Sequence, residues 1–128
     1  MSHVFPLTVY YEDTDMGGIV YHANYLKFIE RARSTWVAEM GVDQLALKEA
    51  GLVFVVHRIE ADFLAPAALG DALEVRSRVE QATAARWVLR QVLMRGGDRL
   101  FSALVTIVAM DARGRPTRLP AELRRASD

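Results

Sequence analysis

Residues 9–36 read VYYEDTDMGGIVYHANYLKFIERARSTW, and within this stretch the apolar spacing changes from that of a strand to that of a helix. Apolar and polar residues alternate from Phe5 to Glu12, which predicts a half-buried β-strand. From Tyr21 to Met40 apolar residues recur every three or four positions, which predicts a long amphipathic helix that Gly41 ends. The polar loop from Asp13 to Gly18 therefore joins a strand to the start of a helix.

The chain that follows reads as a short helix and then as strands. The segment from Asp43 to Ala50 predicts the short helix, with Asp43 as its cap and Gly51 at its end. Alternating or β-branched stretches then predict four strands, at residues 52–64, 72–81, 84–95 and 99–110. Gly96-Gly97 is a hairpin signal between the last two strands. Pro120 to Ala126 is predicted to form a last helical turn or a frayed end.

This order of elements predicts the fold class. One strand, a long helix, a short helix and four consecutive strands are typical of an α+β protein and not of alternating βαβ units. We expect a five-stranded antiparallel sheet wrapped around one long central helix. Such an open sheet leaves edge strands that must be protected or paired, which favours self-association.

The composition limits the size and the class of the protein. With 128 residues, of which 52% are hydrophobic, the sequence predicts a single domain over residues 1–128. The absence of cysteine excludes a disulfide framework, a thiolate nucleophile and any zinc site built on sulfur. No apolar run approaches the roughly 18 residues of a membrane span, and the first residues lack a secretory signal pattern. We therefore expect a cytoplasmic protein.

The charges balance overall but not locally. The chain carries 16 basic and 16 acidic residues, so its net charge of zero argues against a nucleic-acid partner. Residues 1–75 nevertheless have a net charge of −6 and residues 76–128 a net charge of +6. Either the two halves neutralise each other in the fold, or the basic half forms a local anion-binding surface.

The loop between the predicted strand and helix holds the densest set of chemically useful residues. It combines carboxylates, the pair Gly17-Gly18 and, at the helix start, His22. The first turn of a helix offers unpaired backbone N–H groups and a partial positive charge, which accept an anion or a developing oxyanion. Glycines let another molecule approach the backbone closely. The same residues also fit an ordinary loop in which Asp15 caps the helix and the histidine is structural.

The stretch quoted above resembles the signature of the hotdog-fold acyl-CoA thioesterases of the 4-hydroxybenzoyl-CoA thioesterase class. Within that class it is most similar to the subgroup associated with the Tol-Pal cell-envelope system of bacteria. The similarity continues through Phe54 to Glu74, FVVHRIEADFLAPAALGDALE, and covers over half of the chain. Met16 departs from the subgroup, which usually has a small residue there.

This resemblance implies a fold, a reaction and an assembly. The fold would be the hotdog fold, and the enzyme would hydrolyse an acyl-CoA thioester to a carboxylic acid and free CoA without a cofactor. Acyl carrier protein is an alternative carrier of the acyl group. The resemblance also implies a homo-oligomer, a dimer or a homotetramer, with each site at the junction of two protomers.

The resemblance also implies roles for individual residues. Asp15 would be the catalytic carboxylate, acting as a nucleophile or as a general base, with His22 and Tyr11 as partners. The backbone N–H of His22 would polarise the thioester carbonyl, and Gly17 and Gly18 would lie against the substrate. A thioester is already activated for acyl transfer, so one carboxylate and an oxyanion site can suffice.

Coenzyme A carries phosphates, so arginines near the mouth of the site are expected. Arg86 with Arg90 and Arg76 with Arg78 each fall on one face of a predicted strand, and Arg58 lies in the preceding strand. We assign Arg58, Arg86 and Arg90 to substrate binding; the alternative is that these side chains only solvate a strand face.

Other chemistries find less support. Asp13, Asp15 and His22 have the donor types of a metal site, but no HExxH motif occurs and the remaining histidines show no ligand spacing, so no metal is expected. Asp13 is assigned to turn formation and not to a catalytic pair of carboxylates. Two alternatives stay open for the function: a hotdog dehydratase or hydratase acting on acyl thioesters, and a non-catalytic module that binds acyl-CoA or acyl carrier protein.

Overall fold

The computed structural model describes residues 1–125, in which a long helix crosses one face of an antiparallel sheet. The helices are α1 (Asn24–Glu39), α2 (Gln44–Glu49) and α3 (Ala121–Arg125), and a 3₁₀ turn spans Tyr11–Asp13. The strands are β1 (Ser2–Thr8), β2 (Leu52–Phe63), β3 (Ala72–Ala82), β4 (Trp87–Arg95), β5 (Asp98–Asp111) and β6 (Pro116–Thr117). The last residue of the predicted C-terminal turn, Ala126, lies outside the described residues.

The sheet has the strand order β1-β3-β4-β5-β2, and every neighbouring pair is antiparallel. The predicted α+β class and the five long strands are thus confirmed. The sequence did not predict β6, a two-residue strand that pairs with β5. Strands β1 and β2 form the two edges of the five-strand path.

The core lies between α1 and the inner face of the sheet. The helix buries one stripe of side chains: Tyr25, Phe28, Ile29, Ala32, Trp36 and Val37. Near its start, Tyr25 stacks on Phe101 of β5 with 5.1 Å between ring centroids, and near its end, Trp36 packs against Trp87 of β4 at 5.7 Å. A helix of 16 residues is about 24 Å long. These contacts therefore place the two ends of α1 over well-separated parts of the sheet.

A buried polar network joins the middle of α1 to the sheet. Arg33 Nη1 donates to Gln91 Oε1 at 3.0 Å, and Gln91 Nε2 donates to the Ile29 carbonyl at 3.0 Å and to Ser77 Oγ at 2.9 Å. Burial lowers the pKa of the Arg33 guanidinium. Because buried polar groups are costly unless they are hydrogen-bonded, this network fixes how the helix sits on β3 and β4.

The loop after β1 differs from its prediction. The strand ends at Thr8 and not at Glu12, because Asp13 Oδ2 accepts a hydrogen bond from the Tyr10 amide at 2.8 Å and the chain enters the 3₁₀ turn. The helix begins at Asn24 and not at Tyr21. The Tyr21 amide is instead hydrogen-bonded to the Asp13 carbonyl at 3.0 Å, which places the preceding residues outside the helix.

Two other boundaries depend on local turns. Gly41 and Gly51 have φ angles of +88° and +90°, and they follow the helices as predicted. Strand β4 begins at Trp87 instead of residue 84, because Thr83 Oγ1 accepts hydrogen bonds from the amides of Ala85 and Arg86. Arg86 therefore lies in a turn and does not share a strand face with Arg90, contrary to the prediction.

Candidate active site

The loop that joins β1 to α1 closes on itself as a narrow turn. Thr14 and Val20 form an antiparallel bridge. The Asp15 amide donates to the Ile19 carbonyl, and the Gly18 amide donates to the Asp15 carbonyl, each at 3.0 Å. Gly18 has a φ of +75°, which glycine adopts without the steric cost that other residues bear. The turn thus presents an exposed tip that starts with Asp15.

The Asp15 side chain is held by one oxygen. Its Oδ1 accepts a hydrogen bond from the Gly17 amide at 2.9 Å, and this is the only hydrogen bond of the carboxylate within residues 1–125. A Cβ atom at position 17 would lie 3.2 Å from the same oxygen, closer than ordinary contacts. A glycine there therefore gives the carboxylate room, and Oδ2 is left available to a ligand or a water molecule.

The backbone of Asp13 ties this turn to the start of the helix. The Asp13 carbonyl accepts hydrogen bonds from the Tyr21 amide at 3.0 Å and from Asn24 Nδ2 at 2.9 Å. The Asn24 amide in turn donates to the Tyr21 carbonyl at 2.8 Å. Since Asn24 is the first residue of α1, the loop that bears Asp15 and the first turn of the helix form one hydrogen-bonded unit.

The Asp13 side chain has a structural role. It is buried, and its Oδ2 binds the Tyr10 amide at the entrance of the 3₁₀ turn. A carboxylate that accepts a backbone N–H at a helix start stabilises that start. The interpretation of Asp13 as a turn-forming residue agrees with this geometry.

The peptide groups before α1 include unpaired donors. Ala23 is the N-cap residue, and no side chain caps the helix. Within the described part of the chain, the amides of His22 and Ala23 donate to no acceptor. Unpaired N–H groups at a helix start, with the partial positive charge of the helix dipole, bind anions and oxyanions. The structure therefore offers such donors at the amide that the sequence indicated.

Aromatic rings surround the His22 side chain. Its ring centroid lies 4.6 Å from that of Tyr21 and 6.3 Å from that of Phe63, which meets it edge-on. Phe63 also contacts Tyr25, at 5.6 Å between centroids. Tyr11 lies earlier in the loop and is 82% exposed. Neither His22 nor Tyr11 donates a side-chain hydrogen bond to Asp15 within residues 1–125.

We call the turn between the bridged residues Thr14 and Val20 the Asp15 turn. A second loop, residues 64–71, packs against it. The Val20 amide donates to the Ala67 carbonyl at 2.8 Å, and Ile19 forms a bridge with Ala68. The Ala67 amide donates to the Tyr25 hydroxyl at 3.1 Å, so this loop also contacts the start of α1. In the sequence, the only sign of this segment's importance is the family similarity from Phe54 to Glu74, which runs across the loop.

Asp71 closes this second loop. Its Oδ2 accepts hydrogen bonds from the Ala68 amide and from Arg95 Nη1, each at 2.8 Å. The Ala68 hydrogen bond and then the Arg95 hydrogen bond lower the pKa of the Asp71 carboxyl. The loop that supports the Asp15 turn is therefore itself fixed by a charged contact to β4.

The three arginines assigned to substrate binding do not meet at Asp15 within one chain. Arg58 lies exposed on β2, paired with Glu60 at 2.6 Å. Arg86 precedes Trp87, which packs near the far end of α1. Arg90 Nη1 donates to Ser102 Oγ at 3.3 Å, on the face of the sheet opposite to the helix. Their role toward the substrate stays a prediction.

Exposed apolar side chains flank the candidate site. Met16 is fully exposed at the tip of the turn, and Phe63 and Leu64 at the end of β2 are 54% and 56% exposed. Ile19 and Leu69 are exposed beside them. We call these five residues the apolar rim. Exposed apolar side chains that cluster around a candidate site are typical of a surface that a ligand or another chain covers.

Two further observations concern the described residues taken together. Among residues 1–125, no helix has both the length and the apolar character that a membrane crossing requires. In the same residues, no group of three or more His, Asp or Glu side chains is arranged to hold a metal ion.

Comparison with known sequences gives consistent matches. Residues 9–127 match the family model described as the thioesterase-like superfamily. The acyl-CoA thioesterase YbgC of Haemophilus influenzae is 40% identical over 124 residues, which cover 95% of this chain and 91% of that protein. The 1,4-dihydroxy-2-naphthoyl-CoA hydrolase of Thermosynechococcus vestitus is 32% identical, and the alignment covers 94% and 88% of the two chains.

Comparison with solved structures gives the same picture for the fold. A probable thioesterase from Bartonella henselae superposes with a TM-score of 0.89 and 36% sequence identity, covering 94% of this chain and all of that one. A 1,4-dihydroxy-2-naphthoyl-CoA thioesterase from Synechocystis superposes with a TM-score of 0.91 at 23% identity, covering 99% and 96% of the two chains. The second match, at that identity, shows the fold alone.

Proposed function

Because the chain belongs to the thioesterase-like superfamily, we propose that it hydrolyses acyl-CoA thioesters to a carboxylic acid and free CoA. The observation that supports this most directly is the hydrogen-bonded unit that joins the Asp15 turn to the unpaired amides before α1. The family resemblance and the hotdog fold expected from the sequence are confirmed by the comparisons. Membership of the Tol-Pal-associated subgroup and a cytoplasmic location stay expectations.

Asp15 supplies the reacting carboxylate in this proposal. In one route, Asp15 attacks the thioester carbonyl, CoA thiolate leaves, and water then hydrolyses the resulting mixed anhydride. In the other route, Asp15 takes a proton from a water molecule, which attacks the carbonyl directly. Both routes consume one water and release the acid and CoA, and neither needs a cofactor.

The helix start supplies the oxyanion site. As the carbonyl carbon becomes tetrahedral, its oxygen gains negative charge, and a fixed amide donor stabilises that charge more strongly than the neutral carbonyl. The unpaired His22 amide is the donor we assign to this role. Loss of one such donor typically costs roughly 3 kcal/mol of transition-state stabilisation. The His22 amide would therefore contribute about as much transition-state stabilisation as the Asp15 carboxylate.

The neighbouring side chains have supporting roles. The aromatic contacts of His22 with Tyr21 and Phe63 hold the backbone at position 22 in place. Gly17 and Gly18 leave the tip of the turn without side chains, so a thioester can approach the backbone. Tyr11, which is almost fully exposed, is assigned as an active-site partner that acts once the site is covered by a second chain.

We further propose that the protein works as a homo-oligomer with the site at a protomer junction. Strand β2 is an edge strand, paired only with β5 among the described strands, and Val53, Val56 and Phe63 along it are exposed. An unprotected edge with apolar side chains pairs readily with another strand. The apolar rim around Asp15 would be covered by the same association.

A substrate panel tests the proposed reaction. The purified protein is offered acyl-CoA thioesters with short, long and aromatic acyl groups and the matching acyl carrier protein thioesters, and free thiol is followed. We expect thiol release with multiple turnovers from at least one CoA thioester. The same panel includes crotonyl-CoA, whose hydration is followed separately.

The panel also distinguishes the alternative functions. Hydration of crotonyl-CoA without thiol release would indicate a hydratase. Saturable binding of acyl-CoA or acyl carrier protein with no turnover would indicate a binding module. Either result would contradict the proposed hydrolysis, whereas thiol release from carrier-protein thioesters alone would change only the carrier.

A further inference from the structure

A second concave surface lies on the face of the sheet that points away from α1. It is a cavity of about 520 Å³, built mainly from the outward side chains of β3, β4 and β5 and from Ser2 at the start of β1. Four arginines line it together with Ser2 and Ser102, and no carboxylate of the described residues lines it. The residues used below are Ser2, Arg76, Arg78, Arg90, Arg99 and Ser102, and we call them the outer arginine site.

The strand register brings like charges together in this site. Arg78 of β3 lies directly opposite Arg90 of β4. Arg76 lies opposite Val92, the next outward position of β4, and is therefore a diagonal neighbour of Arg90. Like charges opposite each other across an antiparallel pair destabilise the sheet. A fold that places arginines here gains from them only when something neutralises their charge.

The chain neutralises two of these arginines only partly. Arg76 and Arg78 pair with Glu74 at 3.3 Å and with Glu80 at 3.0 Å, in contacts between exposed side chains that contribute little. Within residues 1–125 Arg90 has no such partner, and its guanidinium binds only the Ser102 hydroxyl, at 3.3 Å, although it is only partly exposed. The most enclosed arginine of the site therefore lacks a counter-charge.

The positive charge of the outer arginine site contrasts with the overall charge of the chain. The chain has a net charge of zero, yet the cavity is lined by four positive charges and no negative one. The guanidinium group offers a planar set of donors that fits the oxygens of a phosphoryl group in a bidentate manner. Serine hydroxyls add further donors. A cavity of several hundred Å³ is also in the size range of small-molecule sites.

We propose that the outer arginine site binds the phosphoryl groups of a nucleotide-sized ligand. The ligand is either the nucleotide end of the CoA thioester itself or a free nucleotide or polyphosphate. The site lies on the opposite face of the sheet from α1, so in one protomer it is separate from the Asp15 turn. If the nucleotide of a CoA thioester binds there, its thioester group must therefore reach an active site to which another protomer contributes.

Calorimetric titration with inorganic pyrophosphate tests the site directly. We expect the unmodified protein to bind pyrophosphate with a dissociation constant below about 1 mM, and the affinity to fall as salt is added. In Arg90→Gln the affinity should fall at least about tenfold. The affinity of Arg90→Lys should lie between those of the unmodified protein and Arg90→Gln, because lysine keeps the charge but loses the bidentate geometry of the guanidinium. Thermal melts establish that each variant is folded.

The matched control is Arg113→Gln. Arg113 is exposed in the turn after β5 and does not line the cavity. This variant should bind pyrophosphate like the unmodified protein. Equal affinities in folded Arg90→Gln and Arg113→Gln would overturn the proposal. It would also be overturned if the unmodified protein bound no pyrophosphate at about 10 mM. If Arg90→Gln does not fold, Arg78→Gln, on an exposed side chain, takes its place.

Inhibition kinetics identify the source of the phosphoryl group, and only this step rests on the proposed function. If the site holds the nucleotide end of CoA, pyrophosphate raises the KM for an acyl-CoA but not for the corresponding acyl-pantetheine, which lacks the nucleotide. If the site holds a free nucleotide, pyrophosphate binds without competing with either substrate. Both results support the phosphoryl site. Should no thiol be released at all, the titrations with pyrophosphate still decide the proposal.

Discussion

Asp13 and Asp15 lie two residues apart in the same loop, yet their surroundings differ in almost every respect. Asp13 is 6% exposed, and its carboxylate holds the Tyr10 amide. Asp15 is exposed, and a single backbone amide binds one of its oxygens. The backbone carbonyl of Asp13 also connects the loop to α1. The first half of the loop therefore stabilises the fold, whereas its tip is accessible to a ligand.

The contrast separates two uses of the same side chain. A carboxylate that is buried and bound to backbone amides stabilises the fold, and its replacement lowers the free energy of unfolding. A carboxylate that is exposed and mostly unbound contributes little to stability and remains available for a reaction. Substitutions along the loop should therefore move either stability or turnover, and seldom both.

The largest effect is expected at Asp15. Asp15→Asn keeps the shape of the side chain but removes its charge and its ability to accept a proton. We expect kcat for the best acyl-CoA substrate to fall at least about a hundredfold, with an unchanged melting temperature. Glu12→Gln, at an exposed carboxylate of the same loop, is the control and should retain full turnover. Near-normal turnover by Asp15→Asn would remove Asp15 from the mechanism.

Asp13 should show the opposite behaviour. Asp13→Ala removes the acceptor for the Tyr10 amide, and we expect the free energy of unfolding to fall by about 1–2 kcal/mol. Chemical denaturation measures this loss. At a temperature where the variant is folded, its kcat should fall far less than that of Asp15→Asn. A stable Asp13→Ala with a hundredfold loss of kcat would instead make Asp13 part of the chemistry.

Gly17 provides a finer test at the tip of the turn. In Gly17→Ala the new Cβ would lie 3.2 Å from Asp15 Oδ1, so the carboxylate must shift by a few tenths of an ångström. We expect kcat to fall about tenfold while the melting temperature changes little. The comparison variant is Gly97→Ala, in the turn between β4 and β5, where the new Cβ would meet nothing within 4 Å. It should keep full turnover; an equal loss of kcat in both variants would contradict the assigned position of Gly17.

The smallest effect concerns Asp71 in the supporting loop. Its pKa lies below the ordinary 3.8 in the folded protein. The stabilisation that the charged Asp71 carboxylate provides is therefore complete above pH 3.8 and is lost as the pH falls through the folded-state pKa. Asp71→Asn should be less stable than the unmodified protein at pH 7, and the difference should shrink below about pH 4. Urea denaturation from pH 7 to pH 3 measures it. A difference that stays constant over this range would show that Asp71 does not contribute through its charge.

The sequence predicted the fold well because the fold depends on apolar periodicity. The recurrence of apolar residues every three or four positions from Tyr21 to Met40 indicated the buried stripe of α1, and the Gly96-Gly97 turn lies between β4 and β5 as expected. The errors lie where a polar group redirects the chain. Alternation from Phe5 to Glu12 gives no sign that Asp13 will bind the Tyr10 amide and end the strand at Thr8.

The candidate site was only partly predictable. Local pattern and family resemblance indicated Asp15 and the amide of His22, which are close in sequence. The contact of the 64–71 loop with this turn is a long-range feature that no local pattern reveals. Arg90 illustrates the same limit, because its charge was visible in the sequence but the face of the sheet on which it lies depends on strand register.

The most direct test of the account is a crystal structure of Asp15→Asn with a non-hydrolysable acyl-CoA analogue in which the thioester sulfur is replaced by a methylene group. We predict that the carbonyl oxygen lies about 3 Å from the His22 amide nitrogen, with the side chain at position 15 about 3–3.5 Å from the carbonyl carbon or from a water next to it. An analogue bound away from the start of α1, with the side chain at position 15 pointing into solvent in every protomer, would contradict the account.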